Sequence, residues 1–281
     1  MDLLQILILS IVQGAAELLP VSSSAHVIVA EKLMGLDPTA PQMTLLLVML
    51  HTGTMFAVIV YFWKSWVDAF LRTAELRRTN AIYITVATAF TGVVGLTLLV
   101  LIKHLVAKTM PNFEIEDLFG NAKLMATALA AAGVLIIASS RIKTAKPQEL
   151  SMKHAAWIGA IQGLCLPFRG FSRSGATIST GLVMGMARRR AEEFSFALAV
   201  VLTPAVIAKE GYRLFKHHPE MFNSGMSSTL HLIEPALIGM VFSFLAGLLA
   251  LKWLSNWLEN GLWYVFGGYC LMASLVVLWI G

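Results

Sequence analysis

Five stretches of this chain are nearly free of charge and long enough to cross a bilayer: Met43–Trp63, Ile82–Ile102, Ala122–Ser139, Pro235–Trp253 and Leu262–Ile280. A hydrocarbon core needs about 20 residues of helix, and a soluble fold of this size cannot hide so much apolar surface. The composition agrees: 57% of residues are hydrophobic and 13% charged, with a mean hydropathy of +0.75, whereas soluble domains carry about 25% charged residues. Leu3–Val12 is a shorter apolar run. Only Asp2 precedes it and a polar cluster follows, so it reads as mature structure rather than a cleaved leader. Cys165 and Cys270 sit in apolar contexts and support neither a disulfide framework nor a zinc site. A Walker loop, a GxGxxG and an HExxH are all missing, which removes the usual signatures of nucleotide, nicotinamide and metalloprotease chemistry.

The chain also resembles itself. Ile11–His26 reads I-V-Q-G-A-A-E-L-L-P-V-S-S-S-A-H and Ala160–Thr177 reads A-I-Q-G-L-C-L-P-F-R-G-F-S-R-S-G-A-T. Each has an apolar helix, then Gln-Gly, a proline, a serine-rich break and a new apolar helix. Irregular backbone at membrane depth is tolerated only where it is buried in protein or lines a wet cavity. A re-entrant hairpin meets that condition. Three apolar stretches follow each hairpin, and an odd number of spans turns the second copy upside down. The expected fold is therefore an all-α integral membrane protein of two inverted-topology repeats, each one re-entrant helical hairpin plus three transmembrane helices. Residues 1–140 form the first repeat, with hairpin 3–36 and spans 43–63, 82–102 and 122–139. Residues 141–281 form the second, with hairpin 154–187 and spans 194–214, 235–253 and 262–280.

Charge placement gives an orientation. With the N-terminus outside, the inner segments hold Lys64, Arg72, Arg77, Arg78, Arg141, Lys143, Lys146, Lys153, Arg188, Arg189, Arg190 and Lys252. The outer segments hold Lys32, Lys103, Lys108, Lys123, Lys209, Arg213 and Lys216, offset by Glu114, Glu116 and Asp117. Twelve against seven follows the positive-inside rule. Topology thus accounts for much of the net charge of +5; nucleic acid is not an expected partner. Arg188–Arg190 read as a topology signal, and Trp63, Trp66, Trp253, Trp257 and Trp263 as an aromatic belt.

Polar residues inside the two breaks are the candidates for chemistry. Gln13 and Glu17 are four apart and share a helical face. Pro20 interrupts that helix. Ser22, Ser23 and Ser24 are suited to cap the next one, whose first turn carries His26. Burying such a set in an apolar segment is expensive, and the cost marks function. The bland reading, serines back-bonded to carbonyls and a satisfied core histidine, suits each residue singly better than the group. The second break holds Arg169, Ser172, Arg173, Ser174, Gly175 and Thr177. A guanidinium fork, hydroxyls and free amides at a helix start describe an oxyanion or phosphate cradle. Arg173 can also pair with Glu17 across the two breaks, and Arg169 can equally snorkel toward headgroups. His51, followed by Thr52, Gly53 and Thr54 in an apolar span, reads equally as a cavity-lining residue or a core histidine, while His104, His154, His217, His218 and His231 are expected to be interfacial, at span ends.

These paired motifs, with F-S-F-A-L-A-V at Phe194–Val200, resemble the bacterial undecaprenyl-diphosphate phosphatases of the bacitracin-resistance type over nearly the whole chain. The resemblance implies hydrolysis of undecaprenyl diphosphate to undecaprenyl phosphate and inorganic phosphate. That reaction recycles the lipid carrier for peptidoglycan and envelope synthesis. It implies a multi-pass protein of the bacterial inner membrane, with its active site facing the periplasm among membrane lipids. It places catalytic roles on Glu17, Ser23, His26 and Arg173, and substrate binding on Gln13, Ser22, Ser172, Ser174, Gly175 and Thr177. It also implies a divalent cation, Mg²⁺ or Ca²⁺, held by Glu17 with Gln13 as a further oxygen donor. A homodimer is left open. Two positions depart from the family: Gln13 stands where many members have glutamate, and Arg169 where a proline usually precedes the glycine.

Diphosphate cleavage needs charge neutralisation, an in-line nucleophile and a proton route. Ser23, three residues before His26, is the expected nucleophile, with Glu17 or His26 as its base. A phosphohistidine at His26, or water activated by it, is the competing scheme. The rival class is an inverted-repeat transporter or flippase for an anionic or lipid-phosphate substrate.

Overall fold

The structure, a computed structural model, describes residues 1–37, 40–107, 121–142, 147–217 and 226–280, without the side chains of 106–107 and 226–232. Lys108, Glu114, Glu116, Asp117, Lys143, Lys146 and His218, and the side chain of His231, lie outside the described residues. The architecture described is all-helical. Two short helices come first, α1 (Leu3–Leu18) and α2 (Ser23–Leu33), followed by three long ones, α3 (Pro41–Trp66), α4 (Ala74–Ala107) and α5 (Ala122–Ser140). The order then repeats with α6 (Met152–Cys165) and α7 (Arg173–Val183), followed by α8 (Arg188–His217), α9 (Met226–Glu259) and α10 (Trp263–Ile280). A π-helical turn, Val67–Leu71, extends α3. Among the described residues six helices are long and apolar enough to span a membrane, which makes this an integral membrane protein.

Local chemistry explains the boundaries. Asp2 and Gln5 form a reciprocal capping box at the start of α1, and Pro41 occupies the first turn of α3. Pro20 cannot continue α1, and Ser22 then takes φ 69°, the only positive φ outside glycine among the described residues. At the second break Gly170 has φ 100°, and a Cβ there would stand 2.3 Å from the Met125 carbonyl oxygen, so no other residue fits. The stretch expected at 194–214 belongs to the longer helix α8, which runs through Pro204.

The first helix of each pair packs on a long helix from the other part of the chain: α1 on α9, and α6 on α4. Both contacts run through the glycine of Gln-Gly. A Cβ on Gly14 would come within 2.7 Å of the Ser243 carbonyl oxygen, and one on Gly163 within 2.7 Å of that of Thr91. Gly14→Leu and Gly163→Leu are each expected to cost about 1–3 kcal/mol by overpacking. The loss is read as a lower unfolding midpoint in detergent, and an unchanged midpoint would show slack between these helices.

Three expectations are corrected by packing. Trp263 is 1% exposed and donates to the hydroxyls of Ser139 and Ser179, so it is core rather than belt. His154 is buried between Ser151 and the Met184 carbonyl rather than interfacial. The triple arginine does more than mark topology. Arg189 and Arg190 hold the buried Glu193, which also accepts from Ser65, and Arg188 donates to the Glu259 carbonyl.

Candidate active site

The two breaks meet. Ser174, at the start of α7, donates to the carbonyl of Leu19 in the first break at 3.3 Å, and Cys270 of α10 reaches the Pro20 carbonyl at 3.2 Å. These contacts tie the second break and α10 to the kink after α1, and the functional side chains converge there.

Glu17, on the last turn of α1, is the centre. Its Oε2 accepts from Ser23 Oγ at 2.6 Å and from Gln13 Nε2 at 3.3 Å, while Oε1 faces Arg173 Nη2 at 3.5 Å. The Arg173 guanidinium lies 6.0 Å from the Phe196 ring centroid, and its Nη1 is buried without a hydrogen-bond partner. Glu17, Ser23 and Arg173 line a cavity of about 260 Å³ together with Ser22, Ser24, His51, Gln162, Arg169, Ser172 and Ser174. Apolar residues Leu166, Phe168, Phe171, Leu202 and Val206 complete the wall. Gln162 Oε1 is also buried and unpartnered. Orphaned polar atoms are rare in folded proteins, and two of the four among the described residues belong to this lining. One is a cationic donor, as an anionic ligand requires.

The sequence-predicted residues divide. Glu17, Ser22, Ser23, Arg173, Ser172 and Ser174 reach the cavity, and Gln13 supports Glu17 from a buried position. His26 does not line it. Its Nδ1 donates to the Ser22 carbonyl at 2.8 Å, and its Nε2 accepts from the Tyr269 hydroxyl at 2.7 Å. It opens instead on an apolar groove between α2 and α10. Thr177 is fully buried on Ser195 and the Arg173 carbonyl. The Gly175 amide, expected to be free for an anion, is taken by the Ser172 side chain at 3.2 Å. The imidazole that does line the cavity is His51, 3.8 Å from Glu17 Oε2. Its only sequence signal was a lone histidine in an apolar span.

The donor set bears on a divalent cation. Among the described residues no cluster of three or more His, Cys, Asp or Glu exists, and Glu17 is the one carboxylate in the lining. A protein-only cage does not fit. A hard cation that draws most of its ligands from water and substrate phosphate oxygens does fit one carboxylate.

A family profile described as bacitracin resistance protein BacA matches residues 6–276. The chain is 62% identical over 280 residues to undecaprenyl-diphosphatase 2 of Acinetobacter baylyi, covering 99% of this chain and 98% of that protein. It is 32% identical over 293 residues to undecaprenyl-diphosphatase 2 of Burkholderia thailandensis and to undecaprenyl-diphosphatase 1 of Burkholderia pseudomallei, covering 99% of this chain and 96% of each.

Proposed function

This chain belongs to the bacitracin resistance protein BacA family, and we propose from that premise that it hydrolyses undecaprenyl diphosphate to undecaprenyl phosphate and inorganic phosphate. The enzyme is a phosphatase of the membrane that recycles a lipid carrier for cell-wall synthesis, and bacitracin resistance is a feature of its family. The observation that carries the reading is a serine hydroxyl bonded at 2.6 Å to a carboxylate that itself faces an arginine. A carrier on the same scaffold has no need of that hydroxyl.

In this scheme the terminal phosphoryl group lies between Ser23 and Arg173. Ser23 Oγ attacks phosphorus and its proton passes to Glu17 Oε2. The bond to the bridging oxygen breaks, undecaprenyl phosphate leaves, and a phosphoserine remains. Glu17 hands that proton to the departing oxygen of undecaprenyl phosphate and is a carboxylate again. Water then gives a proton to Glu17 and attacks phosphorus, the Ser23 Oγ–P bond breaks, and Glu17 returns the proton to Ser23 Oγ as inorganic phosphate leaves. Arg173 neutralises the phosphoryl oxygens through the whole sequence. Ser172 and Ser174 offer hydroxyls beside it, Arg169 stands on the same wall, and Gly175 and Thr177 hold the start of α7. His26 serves by holding Ser22 in its strained conformation through the 2.8 Å bond to the Ser22 carbonyl, which keeps Ser23 aimed at Glu17. A divalent cation, Mg²⁺ or Ca²⁺, would be held by Glu17 with the Gln13 amide beside it, and when bound would spread the charge on the phosphate oxygens.

A cavity of about 260 Å³ takes a phosphate headgroup but no C55 chain. Leu166 and Val206, each about half exposed, make an apolar wall that opens toward lipid, the side by which the tail enters. The inverted repeat is supported by the reciprocal packing of α1 on α9 and α6 on α4, and by three long helices after each short pair. The basic-residue asymmetry supports an active site on the periplasmic face of the inner membrane.

Purified protein in detergent is expected to release phosphate from undecaprenyl diphosphate, faster than from a short soluble diphosphate. EDTA should suppress the release and Mg²⁺ or Ca²⁺ restore it. No release under any metal condition would favour a carrier, and a full rate in EDTA would remove the cation from the scheme.

A further inference from the structure

We propose that Gln13 and His51 form a positioning clamp that holds the Glu17 carboxylate against Ser23. Both act through Glu17, and the inference rests on the phosphatase reading above.

The hydrogen bonds settle which atom donates. His51 Nδ1 is 2.8 Å from the Leu47 carbonyl, one turn back on α3. A carbonyl only accepts, so Nδ1 carries a proton and its hydrogen bond fixes the ring on α3. Gln13 Nε2 stands 3.4 Å from the ring's Nε2 and 3.5 Å from Nδ1, so it lies over the ring and directs an N–H at its electron-rich face. The same amide nitrogen stands 3.3 Å from Glu17 Oε2. An NH₂ group has two protons, one for each acceptor. Turning the amide over would set its oxygen against a carboxylate oxygen and the face of the ring, two repulsive contacts. The donor orientation is therefore the satisfied one. The ring itself stays 3.8 Å from Glu17 Oε2, beyond direct hydrogen-bond reach, so the hydrogen bond that holds the carboxylate is Gln13's and the ring backs that amide.

The parts are held rigidly. Gln13 is 1% exposed, and its four-residue spacing from Glu17 fixes their relation on α1. His51 lies two residues from Gly53, where a Cβ would come within 2.3 Å of the Met240 carbonyl oxygen. Backbone contact between α3 and α9 thus sets how far His51 stands from α1. Ser23 donates to the same Glu17 oxygen that Gln13 grips, and Arg173 approaches the other. Without the amide, the carboxylate is free to swing toward Arg173 and away from the hydroxyl it must deprotonate.

The test is phosphate release from undecaprenyl diphosphate by wild type, Gln13→Met, His51→Leu, the double variant and His51→Gln, with unfolding midpoints for each. Gln13→Met and His51→Leu are each expected to lower kcat by about 10–100-fold, the range seen when supporting hydrogen bonds are lost, with KM little changed. The double variant is expected to be no slower than the slower single, because both remove one contact. His51→Gln, whose amide oxygen can again accept from Gln13, is expected to recover most of the kcat that His51→Leu loses. Wild-type kcat in Gln13→Met, or losses that multiply in the double variant, overturn the clamp. Should Gln13→Met fail to fold, equal kcat for His51→Leu and His51→Gln overturns it alone. A wild-type protein that releases no phosphate instead overturns the phosphatase reading beneath it.

Discussion

Arg173→Ala is expected to lower phosphate release from undecaprenyl diphosphate by about 10³–10⁵-fold, the range over which a phosphate-binding arginine acts in phosphoryl transfer. Two features of the site put this effect among the largest. One guanidinium nitrogen balances Glu17 at 3.5 Å, so its removal leaves an uncompensated carboxylate facing a diphosphate. The other, Nη1, is buried with no partner, and is the unspent donor that a phosphoryl oxygen would satisfy. Arg173→Lys keeps the charge but loses the fork, and is expected to fall between the two. The measurement is released phosphate from purified protein, with the unfolding midpoint beside it to separate chemistry from folding. Activity of Arg173→Ala within tenfold of wild type, at an unchanged midpoint, would place the phosphate elsewhere.

Ser23→Ala is expected to abolish turnover, by a factor of at least about 10³, on the scale seen when nucleophiles are removed. The 2.6 Å bond to Glu17 makes Ser23 the one hydroxyl in the lining already bonded to a carboxylate base. Glu17→Gln should lose nearly as much, and the double variant little more, since nucleophile and base act as a unit. Acid quenching during turnover should trap phosphate on the peptide that contains Ser23, in an acid-stable, alkali-labile linkage. An acid-labile adduct on His26 would support the rival scheme. Near-wild-type turnover by Ser23→Ala would sink the covalent serine altogether.

Much of this site could be read along the chain. Glu17, Ser23 and Arg173 stood out because charge and hydroxyls are costly inside apolar segments wherever the fold puts them. The prolines and serines located both breaks for the same reason. What spacing could not tell was which side chains face each other. Ser23 and His26, three residues apart, looked like partners on one helix face. In the structure Ser23 turns to Glu17, whereas His26 is claimed by Tyr269, 243 residues away. Thr177 likewise resembled a ligand until Ser195 was found against it.

His51 shows the same limit from the other side. A histidine amid Met43–Trp63 has no local feature to separate a core residue from one in a site, and only the packing of α3 beside α1 brings it to Gln13. Hydropathy and helix-breaking residues report what each segment costs by itself in lipid, water or protein. Those costs settled from sequence that the chain is an all-helical membrane protein with two polar breaks. The meeting of the breaks is a property of pairs. The bond from Ser174 to the Leu19 carbonyl spans 155 residues, and the glycine contacts of α1 on α9 and α6 on α4 also join segments far apart in the chain. No one-segment cost contains such a term, so only the tertiary structure decided that Arg173 faces Glu17 and that His51, rather than His26, lines the cavity with them.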